Sequence, residues 1–520
     1  MKKSVARDEW ANLTLLLAIS LGAFLRFNPT LLAGFAVNDG GMFAVMVDDL
    51  RANHYLIPAF TSYNQSGIPF AYPPLGFYFG ALAADLFGMN AVQAARWMPA
   101  FFASLSIPAF YLLSLRLLRD KYYASLSTLF FALTPRAFFW FVMGGGLTRA
   151  PGQFFMLLAL GAIVRLYRED RRADVVLAGV FGGLAVMSHP EAAAHTLLSA
   201  VFLWLMLSRA RVAFMRSVLV ALLVLLLSAP WWGTVIRFHG IEPLLSAGQT
   251  GENPLAFLHL LFFTFTEEPY MTVIAVLALI GVARRLIRRD YLLPLWMAIP
   301  FLAAGRSATN LVVIPLAMLA AVGLAEVVLP ALQASGREEA GQSVQVSSVE
   351  RNVFLYLLIY MVFSAYQFGF QVSGAALSKP ERDAMLWVKG NTTEETRFLV
   401  LSGANSVACD ATSEWFPALT GRRSLFTIQG AEWTRGEAFK PFIREAVALQ
   451  SCAGDDPSCI DGRLSSSAYD YVYLSKVLRA ENCAPLALAR TFAYFAERVR
   501  GDERYEVVYE TDDVMIYRER

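Results

Sequence analysis

The first 370 residues contain no cysteine; all four in the 520-residue chain, Cys409, Cys452, Cys459 and Cys483, fall in the last third. Thiols confined to one region fit a compartment that permits disulfides, and the Cys452 to Cys459 spacing would close a short loop, although unpaired buried thiols explain the same spacing. Histidine is almost as scarce, and His54, His239 and His259 share no ligand spacing, so a zinc site is unsupported. Charge is sparse too, at 17% of residues with a net +2. With a mean hydropathy of +0.47, that excludes a disordered chain, a coiled coil and an ordinary soluble enzyme. No basic stretch is interleaved with aromatics, which argues against nucleic acid as a partner. No internal repeat is visible, and no small-residue cleavage site follows the first apolar run, so that run is expected to be a retained span.

What charge there is lies unevenly. Of the 86 Asp, Glu, Lys and Arg residues, 40 fall in residues 371–520. This divides the chain into a lipid-facing unit over 1–370 and a water-facing unit over 371–520. A helix needs about 20 apolar residues to cross the hydrocarbon core. Eleven candidates run over 10–32, 96–115, 123–143, 151–166, 174–189, 191–208, 217–233, 269–284, 291–305, 309–330 and 353–370. The stretch from Pro74 to Gly88 is the ambiguous twelfth. If it does not cross, the arginine clusters at 116–121, 165–172, 209–216 and 284–289 all share a side with Lys2, Lys3 and Arg7. The positive-inside rule therefore predicts a re-entrant or surface-lying helix at 74–88, with the amino terminus cytoplasmic. The long loop over 33–95, the GGGLTRAP turn, the SHPE corner, the GRSATN turn and the tail then lie together outside the cytoplasm. The expected fold is a polytopic α-helical bundle of about 11 spans with an extracytoplasmic mixed α/β domain. Strands are predicted in that domain at 469–476, 505–510 and 514–518.

The chemistry-bearing residues collect on the outer face. Met42, Val45, Met46 and Leu50 recur at helical spacing, so Asp39 stands just before a short amphipathic helix, where an N-cap is the plainest role for it. Asp48 and Asp49 belong to its wet face. Pro73, Pro74 and Leu75 launch the segment at 74–88, because proline tolerates the first turn of a helix but not its interior. Arg149 lies in a glycine-flanked turn before a span, and Arg306 in another outer turn. Both suit a phosphate, and both could equally extend to lipid headgroups. His189 and Glu191 flank Pro190 where two spans meet, near membrane depth, where ionisable side chains usually face a polar cavity; mutual capping of the two helices is the alternative. Glu267 and Glu268 would bind substrate or simply start a helix. Tyr63, Tyr72, Trp231 and Trp232 offer stacking faces for a ligand, but an interfacial belt explains them as well and anchoring is their main reading. Glu414 to Trp433 reads as a surface loop that either covers the bundle mouth or packs a core.

An acid shortly after the first span, a helix with an aromatic and a terminal Leu, and a P-P-L turn form a recognisable set, here Asp39, Phe43, Leu50 and Pro73–Pro74–Leu75. The layout resembles the GT-C superfamily of integral-membrane glycosyltransferases, which includes protein O-mannosyltransferases, aminoarabinose transferases and oligosaccharyltransferase catalytic subunits. The likeness is best over the first 200 residues. Gly40 stands where many relatives carry Glu, and the second outer loop lacks an acidic pair. The resemblance implies inverting transfer of a sugar from a polyprenyl-phosphate carrier to a protein, lipid or glycan acceptor at the cell envelope. Asp39 would be the catalytic base, Arg149, Arg306 and His189 would hold the donor phosphate, and Tyr72, Glu191, Glu267 and Glu268 would contact substrate. No cofactor is firmly implied, and a divalent metal finds no obvious acidic cluster. A transporter or flippase, or a non-catalytic assembly subunit, are the rival readings.

Overall fold

The computed structural model describes residues 2–169, 171–249, 255–258, 260, 272–303, 305–335, 347–404, 406–465, 468–477 and 492–520. Its first part is a bundle built by α1 (Lys2–Ala33), α2 (Gly41–Ala52), α3 (Leu75–Phe87), α4 (Ala91–Leu118), α5 (Lys121–Leu133), α6 (Phe139–Val142), α7 (Gly146–Glu169), α8 (Ala173–Ser188), α9 (Pro190–Leu207) and α10 (Arg211–His239). Further helices cover Val273–Ile287, the stretch Ala308–Ala334 and Ser348–Ser373. Each of the eleven predicted spans contains helix. Among the described residues, seven stretches are long and apolar enough to cross a membrane: Arg7–Ala33, α4, α7, α9, α10, Ala308–Ala334 and Ser348–Ser373.

The other four predicted spans are shorter or broken. α5 stops after 13 residues at Thr134, whose extended backbone is what a following proline enforces, and helix resumes only at α6. The stretch at 291–305 divides into Leu292–Trp296 and Ile299–Ala303. α8 has 16 residues and Val273–Ile287 has 15.

The same hydrophobic sequence character yields opposite placements. α7 is central, with 89% of its apolar window buried inside the protein, whereas α10 has 6% and exposes Leu219, Leu222, Leu225 and Leu226. A row of exposed leucines of that length is stable only where the surrounding solvent is hydrocarbon.

Ion pairs mark one end of the bundle, where Arg7 meets Asp120, Arg165 meets the buried Asp174, and Arg284 meets Glu326. The loop from α1 to α4 gathers at the other end. Both ends of α3 stay there: Gly76 packs against the backbone of Leu147 at the start of α7, and Asp85 pairs with Arg51 of α2 at 2.7 Å. At 13 residues α3 is too short to span, and it lies across that end.

After Ser348–Ser373 the chain forms a five-stranded sheet of β3 (Arg397–Leu401), β4 (Arg423–Ser424), β5 (Tyr471–Ser475), β6 (Tyr505–Glu510) and β7 (Val514–Glu519), following the two-stranded β1 (Phe60–Thr61) and β2 (Ile68–Pro69) of the first loop. The order is β4-β3-β5-β7-β6, parallel across β4, β3 and β5 and antiparallel across β5, β7 and β6. The predicted strands are there; β4, two residues long, had no signal. Cys452 and Cys459 form a disulfide, so of the two readings of that spacing the closed loop holds. The sheet does not stand apart from the bundle. Met42, Val47, Tyr63, Phe70 and Phe77 of the first loop share one core with Phe398, Trp415, Phe416 and Tyr473 of the tail.

Helix Val273–Ile287 crosses Val313–Gly323 with backbones in contact, because Gly281 and Gly323 carry no side chains there. A Cβ on Gly323 would overlap the carbonyl oxygen of Leu277. Gly323→Ala is therefore expected to lower the melting temperature in detergent, by the ~1–3 kcal/mol typical of overpacking. Gly390→Ala, where a Cβ meets open space, serves as the control and should leave it unchanged. Equal melting temperatures for the two variants would contradict this packing.

Candidate active site

The site begins with an unusual piece of backbone. Between α1 and α2, Asn38 has φ 57 and Gly40 has φ 117, both left-handed. A Cβ on Gly40 would lie 2.8 Å from the carbonyl carbon of Gly144, so no side chain, acidic or otherwise, fits this position. The departure from the family pattern at Gly40 thus has a steric cause. Gly40 rather than Asp39 is the cap residue of α2, and it offers no side-chain bond. Of the two roles open to Asp39, the N-cap is not taken: its carboxylate turns the other way, to the start of α7.

There the three glycines of GGGLTR let two backbones touch. The Gly144 amide donates to the Val37 carbonyl at 2.8 Å, and the Gly145 amide donates to Asp39 Oδ1 at 2.9 Å. A Cβ on Gly144 would overlap the Asp39 carbonyl oxygen, and one on Gly145 would overlap its carboxylate. Arg149 lies in the first turn of α7 rather than before it, and its Nη2 donates to Asp39 Oδ2 at 2.7 Å. The guanidinium carbon sits 4.0 Å from the centre of the Trp140 ring, a cation–π geometry, while Nε is buried with no hydrogen-bond partner among the described residues. Arg149 is 9% exposed and Asp39 23%, so the pair is held largely out of water.

Arg149 also lines a small cavity with Trp140, Gln153, His189, Glu191 and Ser307. His189 caps α9, its Nδ1 accepting the Glu191 amide at 3.2 Å. An accepting Nδ1 makes Nε2 the N–H donor of the neutral ring. The Glu191 carboxylate takes no part in that cap. It pairs with Arg306, accepting Nη2 at 2.8 Å and Nε at 2.9 Å, so the mutual cap proposed for His189 and Glu191 is only half present. His195, one turn further along α9, meets Ser307 Oγ at 3.0 Å. The Tyr72 ring lies 5.9 Å from His189, 4.7 Å from Phe43 and 5.9 Å from Trp433. Burial pushes its phenol up to about 12, so it stands as a neutral O–H.

Six of the eight expected site residues, Asp39, Tyr72, Arg149, His189, Glu191 and Arg306, thus form one connected group drawn from four segments far apart in sequence. Glu267 and Glu268 lie outside the described residues. Among the described residues, no three His, Cys, Asp or Glu side chains converge as metal ligands would.

Sequence reasoning missed Glu414. It opens the segment read as either a cover over the bundle mouth or a packed core; Trp415 and Phe416 are buried as the packed-core reading has it, and Glu414 is buried with them inside the helix Ala411–Thr420. Glu414 Oε1 accepts the Gly40 amide at 2.7 Å and the Gly41 amide at 3.1 Å, and Gln429 Nε2 donates to Oε2 at 2.9 Å. Burial, with the charge of Asp39 nearby, pushes its carboxyl up to about 8, and burial pushes Glu432 up to about 7. Trp231 is likewise not simply in an interfacial belt: it is buried, and its indole donates to the Ala71 carbonyl at 3.2 Å, beside Tyr72.

This architecture is shared. The sequence model of the dolichyl-phosphate-mannose-protein mannosyltransferase family matches residues 71–233. No curated protein matches the chain in sequence. Among solved structures, the archaeal oligosaccharyltransferase AglB from Archaeoglobus fulgidus, in complex with an inhibitory peptide and a dolichol-phosphate, is similar with a TM-score of 0.57 at 16% identity. That alignment covers 99% of this chain and 74% of AglB. ArnT from Cupriavidus metallidurans, in the apo state, is similar with a TM-score of 0.56 at 15% identity over 98% of both chains. The arabinofuranosyltransferase AftD from Mycobacteria is similar with a TM-score of 0.56 at 16% identity, over 97% of this chain and 40% of AftD. The chain therefore has the fold of the GT-C superfamily of integral-membrane glycosyltransferases. The likeness to ArnT runs through the tail as well as the bundle.

The pH dependence of stability follows from Glu414. A carboxyl raised to about 8 in the folded chain favours its neutral form there, so its contribution is complete below the ordinary carboxylate range and is lost as pH rises through about 8. Glu432 adds a loss of the same sign near pH 7. Glu414→Gln keeps an accepting oxygen and removes the titration. Its melting temperature is expected to gain on wild type from about pH 6 to about pH 9. A constant difference across that range would contradict the assignment.

Proposed function

We propose that this protein transfers a sugar from a polyprenyl-phosphate carrier to an acceptor, with inversion, at the end of the bundle that carries Asp39 and Arg149. That end is read as the extracytoplasmic face of the cell membrane, with residues 1–370 forming the membrane unit and 371–520 the soluble one. The opposite end holds Arg7, Arg165 and Arg284, as cytoplasmic ends do. The observation that carries the reading is the Asp39–Arg149 pair at 2.7 Å, beside a cavity that also receives His189 and Glu191. The fold likeness and the family match support glycosyl transfer as the reaction class.

The chemistry needs a base and an anion site close together. An acceptor hydroxyl attacking the anomeric carbon gives up its proton, and Asp39 takes it. The bond between that carbon and the carrier phosphate oxygen breaks, and the phosphate leaves with the electron pair. Arg149 stabilises that charge: its planar fork suits phosphate oxygens, and its Nε–H has no partner among the described residues. The His189 Nε2–H and Arg306, which pairs with Glu191 of the same cavity, add further donors for the phosphate. Tyr72, kept as a neutral phenol between Phe43, His189 and Trp433, offers the donor sugar an aromatic wall and one hydroxyl. Among carriers, polyprenyl phosphates are favoured because ArnT has been solved bound to undecaprenyl phosphate and AglB in complex with a dolichol-phosphate.

The test is a panel of polyprenyl-phosphate sugars offered to the purified, reconstituted protein, with released polyprenyl phosphate as the readout. Asp39→Asn is expected to cut turnover by roughly 10²–10⁴, the range for a lost general base, while leaving expression and donor binding intact. Arg149→Ala should weaken donor binding as well as turnover. Full activity in Asp39→Asn would remove that residue from the reaction.

A further inference from the structure

Asp39 is aimed by a short turn of backbone held from two sides. Two left-handed residues flank it, Asn38 at φ 57 and Gly40 at φ 117; glycine adopts this region freely and asparagine tolerates it, so contacts from outside the turn must fix its direction. The bundle supplies one side of the grip, through the amides of Gly144 and Gly145. The other side comes entirely from the tail. Trp415 Nε1 donates to the Asn38 carbonyl at 2.7 Å, Asn38 Nδ2 donates to the Ala408 carbonyl at 2.8 Å, and Glu414 Oε1 takes the amides of Gly40 and Gly41. α2 has twelve residues and no capping side chain of its own, so the first two amides of its start are satisfied by an acid more than 370 residues away.

Glu414 is itself fixed. Gln429 binds its second oxygen, Tyr63 Oη donates to its carbonyl at 2.7 Å, and a Cβ on Gly41 would meet that same carbonyl oxygen at 2.5 Å. The close fit leaves Glu414 little room to move and α2 little room to turn.

On the reading of Asp39 as the base, we propose that Glu414 is its positioning residue, supported by Trp415: the tail helix Ala411–Thr420 caps α2 from outside the bundle and so sets the direction of the Asp39 carboxylate. The tail is then part of the machinery for turnover and not only a cover over the site. What Glu414 contributes is an accepting oxygen for two amides, which a glutamine also provides and an alanine does not.

Two readouts on the full-length protein test this. In hydrogen exchange, the amides of Gly40 and Gly41 should exchange about tenfold faster in Glu414→Ala than in wild type, the usual scale for a lost cap, with β3 and α7 unchanged. Glu414→Gln should stay within about threefold of wild type, since the acceptor remains. In the transfer assay, Glu414→Ala should lower kcat about tenfold with the donor KM within about twofold, and Gln should rescue it. Wild-type exchange at Gly40 and Gly41 in Glu414→Ala would overturn the proposal. So would a glutamine variant as impaired as alanine, or a loss carried by the donor KM alone. If Glu414→Ala fails to fold, Trp415→Phe removes one donor and keeps an aromatic ring, smaller than indole; faster exchange at residues 38–41 supports the proposal and wild-type exchange overturns it. If the wild-type protein transfers no sugar at all, it is the catalytic reading that fails, and the exchange measurement still decides the role of Glu414.

Discussion

The site depends on two backbones touching where glycine permits it. Gly40 meets Gly144, and the Gly145 amide reaches the carboxylate of Asp39, only because none of the three has a Cβ. That contact brings the end of α1 within hydrogen-bonding distance of the start of α7 and places Arg149 opposite Asp39. A methyl group on any of the three would overlap the backbone or carboxylate it faces. The remaining site residues are arranged around this junction: His189 and Glu191 from the α8–α9 corner, Arg306 from a later turn, and Tyr72 held near them by Trp231.

Much of this was legible in the sequence because lipid is a demanding solvent. A chain that must satisfy every backbone group within its own helices declares its spans as apolar runs, and any polar side chain in or beside them stands out. That is why Arg149, His189, Glu191 and Arg306 could be singled out before their contacts were known, whereas Asp39 was singled out mainly by the resemblance to the GT-C families. Helix breaks were less visible. Pro135 ends α5 early and the 291–305 run divides in two, because hydropathy registers composition and not the backbone interruption.

Glu414 escaped for a different reason. A buried carboxylate in a water-facing domain looks like any of the other acids there, and its two amide partners belong to residues far away in the chain. No periodicity or spacing encodes such a contact. The direction of the Asp39 carboxylate was invisible for the same cause: local rules allow an acid before a helix as its cap, and only the approach of Gly145 and Arg149 turns it away. The role of Gly40 was likewise visible only in three dimensions, as a left-handed residue against another glycine rather than an acid that had been lost.

The chain thus joins a bundle whose fold is widely shared with a tail that packs on the first loop, and among the places where the two meet is one short piece of backbone, residues 38–41. The most direct measurement of the central claim is an experimental structure of the protein with a polyprenyl phosphate bound. The account predicts phosphate oxygens within hydrogen-bonding distance of Arg149 and Arg306, with the Asp39 carboxylate facing the space next to them. A phosphate seated away from both arginines, with Asp39 turned from it, would contradict it.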